Sequence, residues 1–394
     1  MKLQLNRFFR LLAASTTLAF APSTEAATPA FRAVDVDTGV QIGYGLAIAD
    51  INGDKKPDIV LVDKNIVAWY ENPGWKKHIM TERLTQLDHV CVAAADIDGD
   101  GKAEVAIGAG WNPGDTVNSG AVFYLIPPAD RAQKWEPVQL PHEPTVHRMK
   151  WVKNAAGQFD LVVVPLHGKG NKAGEGQGVR ILAYHKPADP RSEWKTTLLD
   201  ASLHATHNFD PVQWDSDPAQ EMLVSGREGV FLLDQTTGGG LLSRLGGSEP
   251  GAGEIRLGHL KGGGRFIATI EPMHGTNAVI YTPPSQGGSW NRQVIDATLV
   301  DGHAVACGDV LKLGYDQVVV GWRAMGKTNV HVGIKLYAPQ DSAGTKWETH
   351  LIDDNTMACE DLMLADLNGD GRLDIIAAGR ATKNLKVYWN ESRK

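Results

Sequence analysis

Asp and Asn side chains recur at one spacing in three nine-residue segments of the chain. The segments are 50–58 (DINGDKKPD), 96–104 (DIDGDGKAE) and 366–374 (DLNGDGRLD). Oxygen atoms at the first, third, fifth and ninth positions of a tight turn suit a hard cation with about six to eight oxygen ligands, namely Ca²⁺. The sequence therefore predicts three calcium loops. Their predicted ligands are Asp50, Asn52, Asp54, Asp58, Asp96, Asp98, Asp100, Glu104, Asp366, Asn368, Asp370 and Asp374.

The flanks of these segments decide which kind of calcium loop they form. A short apolar run precedes and follows each one, such as 59–62 and 375–378. An EF-hand would place its last acidic ligand later in the loop and between two helices, whereas here the flanks are predicted strands. We therefore expect calcium loops inside β-hairpins. The alternative is an Asp- and Gly-rich turn without metal, which three copies in register disfavour.

The rest of the chain favours many short strands joined by tight turns, because its 394 residues include 43 Gly and 11 Trp. Tryptophan recurs at the start of similar segments, with one double gap, at Trp75, Trp135, Trp194, Trp290 and Trp347. Repeats of this length with four strands each indicate a propeller, and seven units fit the chain. We predict an all-β, seven-bladed β-propeller. The alternative is a pair of β-sandwiches, which would not explain one period running from end to end.

The predicted propeller is a single domain over 28–394. Its last unit stops after a third strand, and residues 31–37 have the pattern of the missing outer strand. Strands from both termini would then close the ring and leave no exposed edge. The predicted blades lie near 40–80, 84–140, 143–200, 202–246, 249–296, 297–353, and 355–394 together with 31–37.

The three acidic segments resemble the loops of FG-GAP or VCBS repeat proteins, the family that includes the propellers of integrin α-chains. This resemblance covers nearly the whole chain after the N-terminus and implies that the loops bind Ca²⁺ for structural reasons. A fourth unit keeps only a remnant of the pattern, at 215–221 (DSDPAQE), and the third, fifth and sixth units have lost it.

The N-terminus predicts the location of the protein. Residues 1–27 are expected to be a secretory signal peptide, since Lys2, Arg7 and Arg10 precede an apolar run that ends in small residues. The mature protein is then expected in the periplasm or outside the cell, with no membrane association once the signal is removed.

The net charge and the cysteines of the chain predict which partner is excluded and which state its thiols have. The net charge of -7 is mild and no basic stripe appears, so a nucleic-acid partner is not expected. The three cysteines lie in Ala-rich strands and are expected to be buried free thiols.

Propeller topology assigns the chemistry to the face opposite the calcium loops. In each blade the first strand starts at that face and the second strand ends there, around a central funnel. Six of the 13 histidines fall at these positions. The starts of the first strands carry Tyr44, His89, His147, His207, Glu254, His303 and Glu360. The ends of the second strands carry Lys64, Trp111, His167, Arg227, His274, Trp322, Arg323 and Arg380.

Two kinds of chemistry fit this ring, and the sequence leaves both open. Imidazoles and carboxylates from adjacent blades could hold Zn²⁺ or another divalent metal. His89, Glu254 and Glu360 are the candidates for it, and His147, His207 and His303 could be either bases or metal ligands. His and Tyr could instead exchange protons while Arg stabilises negative charge, as β-elimination next to a carbonyl requires. The predicted catalytic residues are Tyr44, His147, His207, His303, Arg227, Arg323 and Arg380. The predicted substrate-binding residues are Lys64, Trp111, His167, His274 and Trp322.

Five short segments resemble the propeller of aldos-2-ulose dehydratase and its bacterial relatives. They are 206–210 (THNFD), 225–229 (SGREG), 253–256 (GEIR), 302–305 (GHAV) and 320–323 (VGWR). This resemblance implies removal of water from an oxidised sugar such as anhydrofructose. Seven-bladed ulvan lyases are similar in plan, which implies elimination from a uronic acid.

We therefore expect a secreted enzyme, either a dehydratase or a lyase, with a carbohydrate substrate. The alternative is a non-catalytic, calcium-stabilised propeller that binds a protein or a polysaccharide.

Overall fold

The computed structural model describes residues 28–235, 240–326 and 330–392, and its regular elements in those ranges are all β-strands. The 28 strands form seven antiparallel four-stranded sheets, which confirms the predicted seven-bladed β-propeller. The first strands of neighbouring blades contact one another in a ring that closes between β2 (Gly45–Ala49) and β26 (Cys359–Ala365). The propeller axis therefore runs between the seven first strands.

Each of the first three blades consists of four consecutive strands. Blade 1 contains β2, β3 (Asp58–Val62), β4 (Ile66–Glu71) and β5 (Lys76–Glu82). Blade 2 contains β6 (Cys91–Ala95), β7 (Glu104–Ala109), β8 (Ala121–Ile126) and β9 (Glu136–Leu140). Blade 3 contains β10 (Val146–Lys153), β11 (Phe159–Pro165), β12 (Ile181–His185) and β13 (Lys195–Asp200).

The next three blades repeat this order. Blade 4 contains β14 (Thr206–Val212), β15 (Glu221–Gly226), β16 (Gly229–Asp234) and β17 (Leu241–Gly246). Blade 5 contains β18 (Ile255–His259), β19 (Arg265–Glu271), β20 (Asn277–Thr282) and β21 (Asn291–Asp296). Blade 6 contains β22 (Gly302–Gly308), β23 (Gln317–Trp322), β24 (Gly333–Pro339) and β25 (Trp347–Asp354).

Blade 7 is built from both ends of the chain, as the sequence predicts. Its first three strands are β26, β27 (Asp374–Gly379) and β28 (Asn384–Asn390). The outer strand is β1 (Phe31–Asp37), which pairs antiparallel with β28 from Phe31 opposite Asn390 to Asp37 opposite Leu385. The ring therefore has no open edge between its first and last blades.

Burial explains why the inner strands are apolar and the outer strands are not. Neighbouring sheets pack face to face, so the second strand of a blade is covered on both faces. The second strands β3 and β27 are accordingly buried throughout, whereas the outer strand β21 is half-buried or exposed along its length. Continuous apolar runs therefore mark second strands in this chain.

Four first strands carry a β-bulge at the same place, near the funnel. The register of β10 with β11 shifts between Val146 and Arg148, which leaves His147 as an extra residue without a paired partner. The same shift occurs around three other residues, which also lack a paired partner: His207 in β14, His303 in β22 and Glu360 in β26. A bulge bends its strand and redirects the side chain of the extra residue.

The signal peptide predicted for residues 1–27 lies outside the described residues. No helix in the part of the chain that the structure describes could cross a membrane. Cys91, Cys307 and Cys359 are free thiols, of which the first and last are buried.

Candidate active site

The funnel opens at the face where the first strands begin, opposite the three acidic loops. A cavity of about 250 Å³ lies in it, and all seven blades contribute to its walls. The cavity brings together nine of the residues singled out in the sequence, namely Tyr44, Trp111, His147, His207, His274, His303, Arg323, Glu360 and Arg380.

Three imidazoles converge at one point of this cavity. A ring nitrogen of each of His207, His274 and His303 lies within 4.8 Å of the others. His207 Nε2 is 2.7 Å from His274 Nε2, and the ring centroids of His207 and His303 are 5.3 Å apart. His274 adopts a φ of 55°, which few non-glycine residues do and which the surrounding packing must hold in place.

Backbone carbonyl groups fix the tautomers of the histidines on the first strands. His207 Nδ1 lies 3.2 Å from Gly253 O, and His303 Nδ1 lies 2.6 Å from Glu360 O. A carbonyl oxygen can only accept, so each Nδ1 carries the hydrogen and each Nε2 keeps its lone pair. Metal-binding histidines are typically oriented in this way by a hydrogen bond from the other ring nitrogen.

The pKa values of these imidazoles are all lowered, which favours their neutral forms. Burial lowers the pKa of His207 and, together with the positive charge of Arg323, holds the pKa of His303 well below its usual value. Burial and the neighbouring His207 lower the pKa of His274 to about 2. A neutral imidazole does not have to release a proton before it binds a metal.

The donor set fits a catalytic zinc site. Such sites typically have three protein ligands, often three histidines, and leave a further position open to water or substrate. Here three imidazoles from blades 4, 5 and 6 meet at a cavity wall, and the cavity leaves room beside them.

His147 lies beside this cluster but is engaged elsewhere. Its Nδ1 lies 2.9 Å from His207 O, and its Nε2 accepts a hydrogen bond of 3.0 Å from Arg148 Nη1. The Trp111 ring stacks on it with centroids 4.9 Å apart. Burial and the charge of Arg148 hold the pKa of His147 well below its usual value, so it is a neutral base.

Glu360 joins the two funnel arginines. It is buried, and its carboxylate accepts hydrogen bonds of 2.5 Å from Arg323 Nη1 and 2.9 Å from Arg380 Nη1. Arg323 Nε also donates to Asp301 over 3.1 Å. Both guanidinium groups are therefore neutralised within the protein.

Tyr44 closes the side of the cavity near blade 1. Its hydroxyl donates to Asp88 over 2.9 Å, and the Arg380 guanidinium lies 5.6 Å from the centre of its ring. Burial and the hydrogen bond to Asp88 raise the pKa of Tyr44, which keeps the phenol protonated.

The structure does not bring together His89, Glu254 and Glu360, the residues predicted for a funnel metal. His89 is buried between blades 1 and 2, where its Nε2 accepts from Leu84 N over 3.3 Å. Val90 lines the cavity instead, because it stands six residues before the first loop residue, as do Tyr44, His303 and Glu360.

Glu254 contacts the imidazole cluster from outside the funnel cavity. Its carboxylate accepts a hydrogen bond of 2.6 Å from Asn208 Nδ2 and lies 3.1 Å from His207 Nδ1. It therefore lies beside a candidate ligand and does not line the cavity.

Four other residues predicted for the site do not line the cavity: Lys64, His167, Arg227 and Trp322. Trp322 is buried and donates its indole N–H to His331 O over 2.6 Å. Arg227 points to the rim, where it pairs with Glu249 over 3.2 Å. His167 pairs through its backbone with Ala205, and the Lys64 carbonyl accepts from His89 N.

Arg148 is the functional candidate that the sequence analysis missed. It follows His147 directly, and in a regular strand the two would point to opposite faces. The bulge at His147 allows both side chains to face the axis. Its one sequence signal is its place, five residues before the end of β10, where a regular first strand would carry a buried apolar residue.

A second cavity of about 300 Å³ continues along the axis below the funnel. It is lined by charged side chains of the first strands, including Arg148, Lys150, Asp210, Arg256 and Asp361. Burial and the neighbouring Arg256 lower the pKa of Lys150 to about 8. Arg148 and Tyr44 line both cavities.

The three acidic loops keep their carboxylates close together at the opposite face. In the first loop, Asp50 accepts from Gly53 N and Lys55 N, and Asn52 Oδ1 accepts from Asp54 N. Burial and the neighbouring carboxylates raise the pKa of Asp58 to about 6 and that of Glu104 to about 7. Converging carboxylates of this kind fit a hard cation.

Comparisons with known families agree with the repeat architecture. The FG-GAP-like repeat family matches residues 41–107, and the FG-GAP repeat family matches 92–125. The β-propeller domain of aldos-2-ulose dehydratase matches residues 119–284, which include His147, His207 and His274. No curated protein matches the sequence.

Solved structures share the fold at low sequence identity. A chain of a mitotic checkpoint complex is 12% identical with a TM-score of 0.56, over 98% of this chain and 99% of that one. The extracellular domain of a one-component system from B. thetaiotaomicron is 10% identical with a TM-score of 0.52, over 91% of this chain and 39% of that one. A chain of a complex of BBS1N with ARL6DN is 14% identical with a TM-score of 0.54, over 91% of this chain and 95% of that one.

Proposed function

The chain is an FG-GAP repeat β-propeller that resembles the propeller domain of aldos-2-ulose dehydratase, and from this premise we propose that its funnel removes water from an oxidised sugar with the help of a divalent metal. The observation that carries the proposal is the convergence of His207, His274 and His303. A bound Zn²⁺ would supply Lewis-acid polarisation of a substrate carbonyl.

The pairing of the funnel arginines favours a neutral sugar over a uronic acid. Arg323 and Arg380 both bind the buried Glu360, and Arg323 also binds Asp301. A uronate carboxylate would have to compete with Glu360 for the same N–H groups and would bring a second negative charge beside it. Dehydration of a neutral oxidised sugar therefore fits better than lyase action on a polyuronate.

His147 is the base in this proposal. Its Nε2 lone pair faces Arg148, so a substrate oxygen that takes over this Arg148 N–H leaves Nε2 free to accept the proton next to the carbonyl. The guanidinium then stabilises the negative charge that develops on that oxygen.

Tyr44 is the acid in this proposal. Its hydroxyl stays protonated and lies at the cavity wall, and a departing hydroxyl group that replaces Asp88 as the acceptor of its hydrogen bond can take the proton. One C–H and one C–O bond break, a C=C bond forms and water leaves, so no redox partner is needed.

The calcium loops have a supporting role in this proposal. Loops 50–58, 96–104 and 366–374 belong to the neighbouring blades 1, 2 and 7, which also carry Tyr44, Trp111, Glu360 and Arg380. Ca²⁺ in these loops would hold the turns that join the first and second strands of those blades.

The test uses the full chain loaded with Zn²⁺ and two substrate classes, anhydrofructose-type ketosugars and polyuronates. We expect ultraviolet absorbance of a conjugated enone to appear with the ketosugar. The His147→Gln variant should lower kcat by about 100-fold or more while the zinc content stays unchanged. His142→Gln, which changes an exposed histidine outside the funnel, is the matched control.

Two results would redirect the proposal. Unsaturated products from polyuronates alone would favour a lyase. If neither substrate class gives an unsaturated product and His207→Ala changes no measured property, the protein is a binding propeller.

A further inference from the structure

The second cavity on the propeller axis has two unlike walls. We call this cavity of about 300 Å³ the axial cavity, and its size lies at the lower end of the range for small-molecule sites. Blades 1 and 2 line it with residues 45–48 of β2 and 91–95 of β6, which carry no charge. Blades 3, 4, 5 and 7 contribute charged side chains, namely Arg148, Lys150, Asp210, Arg256 and Asp361. A ligand that fits both walls therefore has a charged end and an apolar end.

Backbone N–H groups hold the two carboxylates of the axial cavity. Asp361 Oδ2 accepts from Leu46 N over 2.8 Å, and its Oδ1 accepts from Leu362 N over 2.9 Å. Asp210 Oδ2 accepts from Leu257 N over 3.1 Å. Hydrogen bonds of this kind stabilise a carboxylate in its charged form, so neither group needs a bound cation.

Arg256 is the cation of the axial cavity that lacks a carboxylate partner. Its Nη1 donates to Ile255 O over 2.6 Å, and its guanidinium forms no ion pair in the part of the chain that the structure describes. Lys150 Nζ, by contrast, lies 3.5 Å from Asp210 Oδ1. The hydrogen-bonding capacity left over in the cavity is therefore that of N–H donors, which bind an anion.

Arg148 has partners of its own where the axial cavity meets the funnel. Its Nη1 donates to His147 O over 3.0 Å, and its Nη2 lies 3.8 Å from Glu254 Oε1. Glu254 is buried and does not line the axial cavity. The unpaired positive charge of the cavity is therefore that of Arg256.

Lys150 and Arg256 lie close enough to repel each other. Burial and the neighbouring Arg256 lower the pKa of Lys150 to about 8, even though Asp210 is close to Lys150. An anion between the two side chains would offset this repulsion. A carboxylate suits the position, because a guanidinium group can donate two parallel hydrogen bonds to its two oxygens.

A small ligand can reach the axial cavity from the face with the acidic loops. Ile48, Ala94 and Ala95 line the cavity near the ends of β2 and β6, and all three are half-buried. The first three residues of both strands are buried. The cavity therefore opens at the end of the axis opposite the imidazole cluster.

The charges also limit the ligand to one negative group. Asp210 and Asp361 would repel a second carboxylate, and the wall from blades 1 and 2 offers it no positive charge. A short-chain carboxylate has one charged end and a hydrocarbon part that can pack against the small residues of that wall.

We propose that the axial cavity binds a small monocarboxylate, with its carboxylate between Lys150 and Arg256 and its hydrocarbon part against β2 and β6. This site is separate from the proposed dehydration, because its ligand binds without reacting and needs no metal. Butyrate has the required shape and charge and serves as the probe.

Isothermal titration calorimetry of the full chain with butyrate tests this proposal. We expect one butyrate to bind per chain. Butyramide, its neutral counterpart, should bind at least about 10-fold more weakly, because it lacks the charge that strengthens hydrogen bonds to Lys150 and Arg256. Arg256→Gln and Lys150→Met should each weaken butyrate binding by about 10-fold or more.

Two funnel variants are the controls. Arg380→Gln removes a guanidinium group and His303→Ala removes a candidate zinc ligand, and neither residue lines the axial cavity. Both variants should bind butyrate as tightly as the wild type, whether or not the funnel dehydrates a sugar.

The calorimetry overturns the proposal if the wild type binds butyrate no more tightly than butyramide, as expected of a cavity that holds only water. It also does so if Arg256→Gln and Lys150→Met bind butyrate like the wild type, or if a funnel variant loses as much affinity as Arg256→Gln. A crystal structure of the wild type with butyrate needs no variant. A carboxylate found away from Lys150 and Arg256 would overturn the proposal as well.

Discussion

The two ends of the first strands differ in how regular they are. At the end with the acidic loops, the same hydrogen bonds recur in loops 50–58, 96–104 and 366–374, each with the position-two N–H bound to the position-nine carboxylate. At the funnel end, four of the seven strands bulge, and the extra residue is His147, His207, His303 or Glu360. The repeat therefore provides the scaffold, while local departures from it place the candidate catalytic side chains.

Loss of a histidine at the bulged end should have the largest effect. His303→Ala removes one of three converging imidazoles, and we expect zinc affinity to fall by more than about 100-fold. Competition with a chromogenic chelator measures it. His89→Gln is the control, because His89 lies outside the cavity; a similar loss of affinity in that variant would contradict the assignment.

Arg323→Gln should cause the next largest effect, on stability. It removes the better-buried partner of Glu360, and breaking such a buried pair costs about 3–5 kcal/mol. Arg380→Gln should cost less than about 1 kcal/mol, because the Arg380 side chain is 42% exposed. Urea unfolding measures the loss of stability in both variants. Equal losses would contradict the expectation that the more buried ion pair contributes more.

Calcium removal should act at the regular end of the strands. A calcium-selective chelator, with Zn²⁺ kept in solution, should lower the free energy of unfolding, by about 2.7 kcal/mol per loop if Ca²⁺ had been present at 100 times its Kd. Amide hydrogen exchange should rise in loops 50–58, 96–104 and 366–374. The turn 309–317 in blade 6, where the acidic pattern is lost, is the internal control, and a rise there of the same size would count against metal-held loops.

Tyr44→Phe should have the smallest effect on stability. It removes the hydrogen bond to Asp88, which contributes about 1 kcal/mol. The same variant should lower kcat on a ketosugar with little change in KM, since the aromatic ring remains. An unchanged kcat would remove Tyr44 from its proposed role as acid.

The fold could be predicted because the loops and their apolar flanks repeat. Asp50, Asp96 and Asp366 set the register of their blades, and continuous apolar runs such as 59–62 mark the second strands. Even the closure by residues 31–37 was visible, since that segment has the outer-strand pattern.

The funnel was harder to predict, because one residue decides which side chain faces the axis. His89 is a histidine in the expected region, yet Val90 takes the cavity position. Counting six residues back from the first loop residue would have identified Val90. No pattern in the sequence shows that Arg148 shares a face with His147, because a bulge breaks the alternation on which such predictions rest.

The pairing of β1 with β28 has a consequence for synthesis of the chain. Strand β1 is made before its partner β28, and more than 350 residues separate the two, as the contact between Ala30 and Ser392 illustrates. Until β28 emerges, blade 7 consists only of the hairpin of β26 and β27, which carries Glu360 and has an open edge. The funnel therefore gains its last wall only after β28 has been made, so products that stop before β28 should contain the three converging histidines but no complete site.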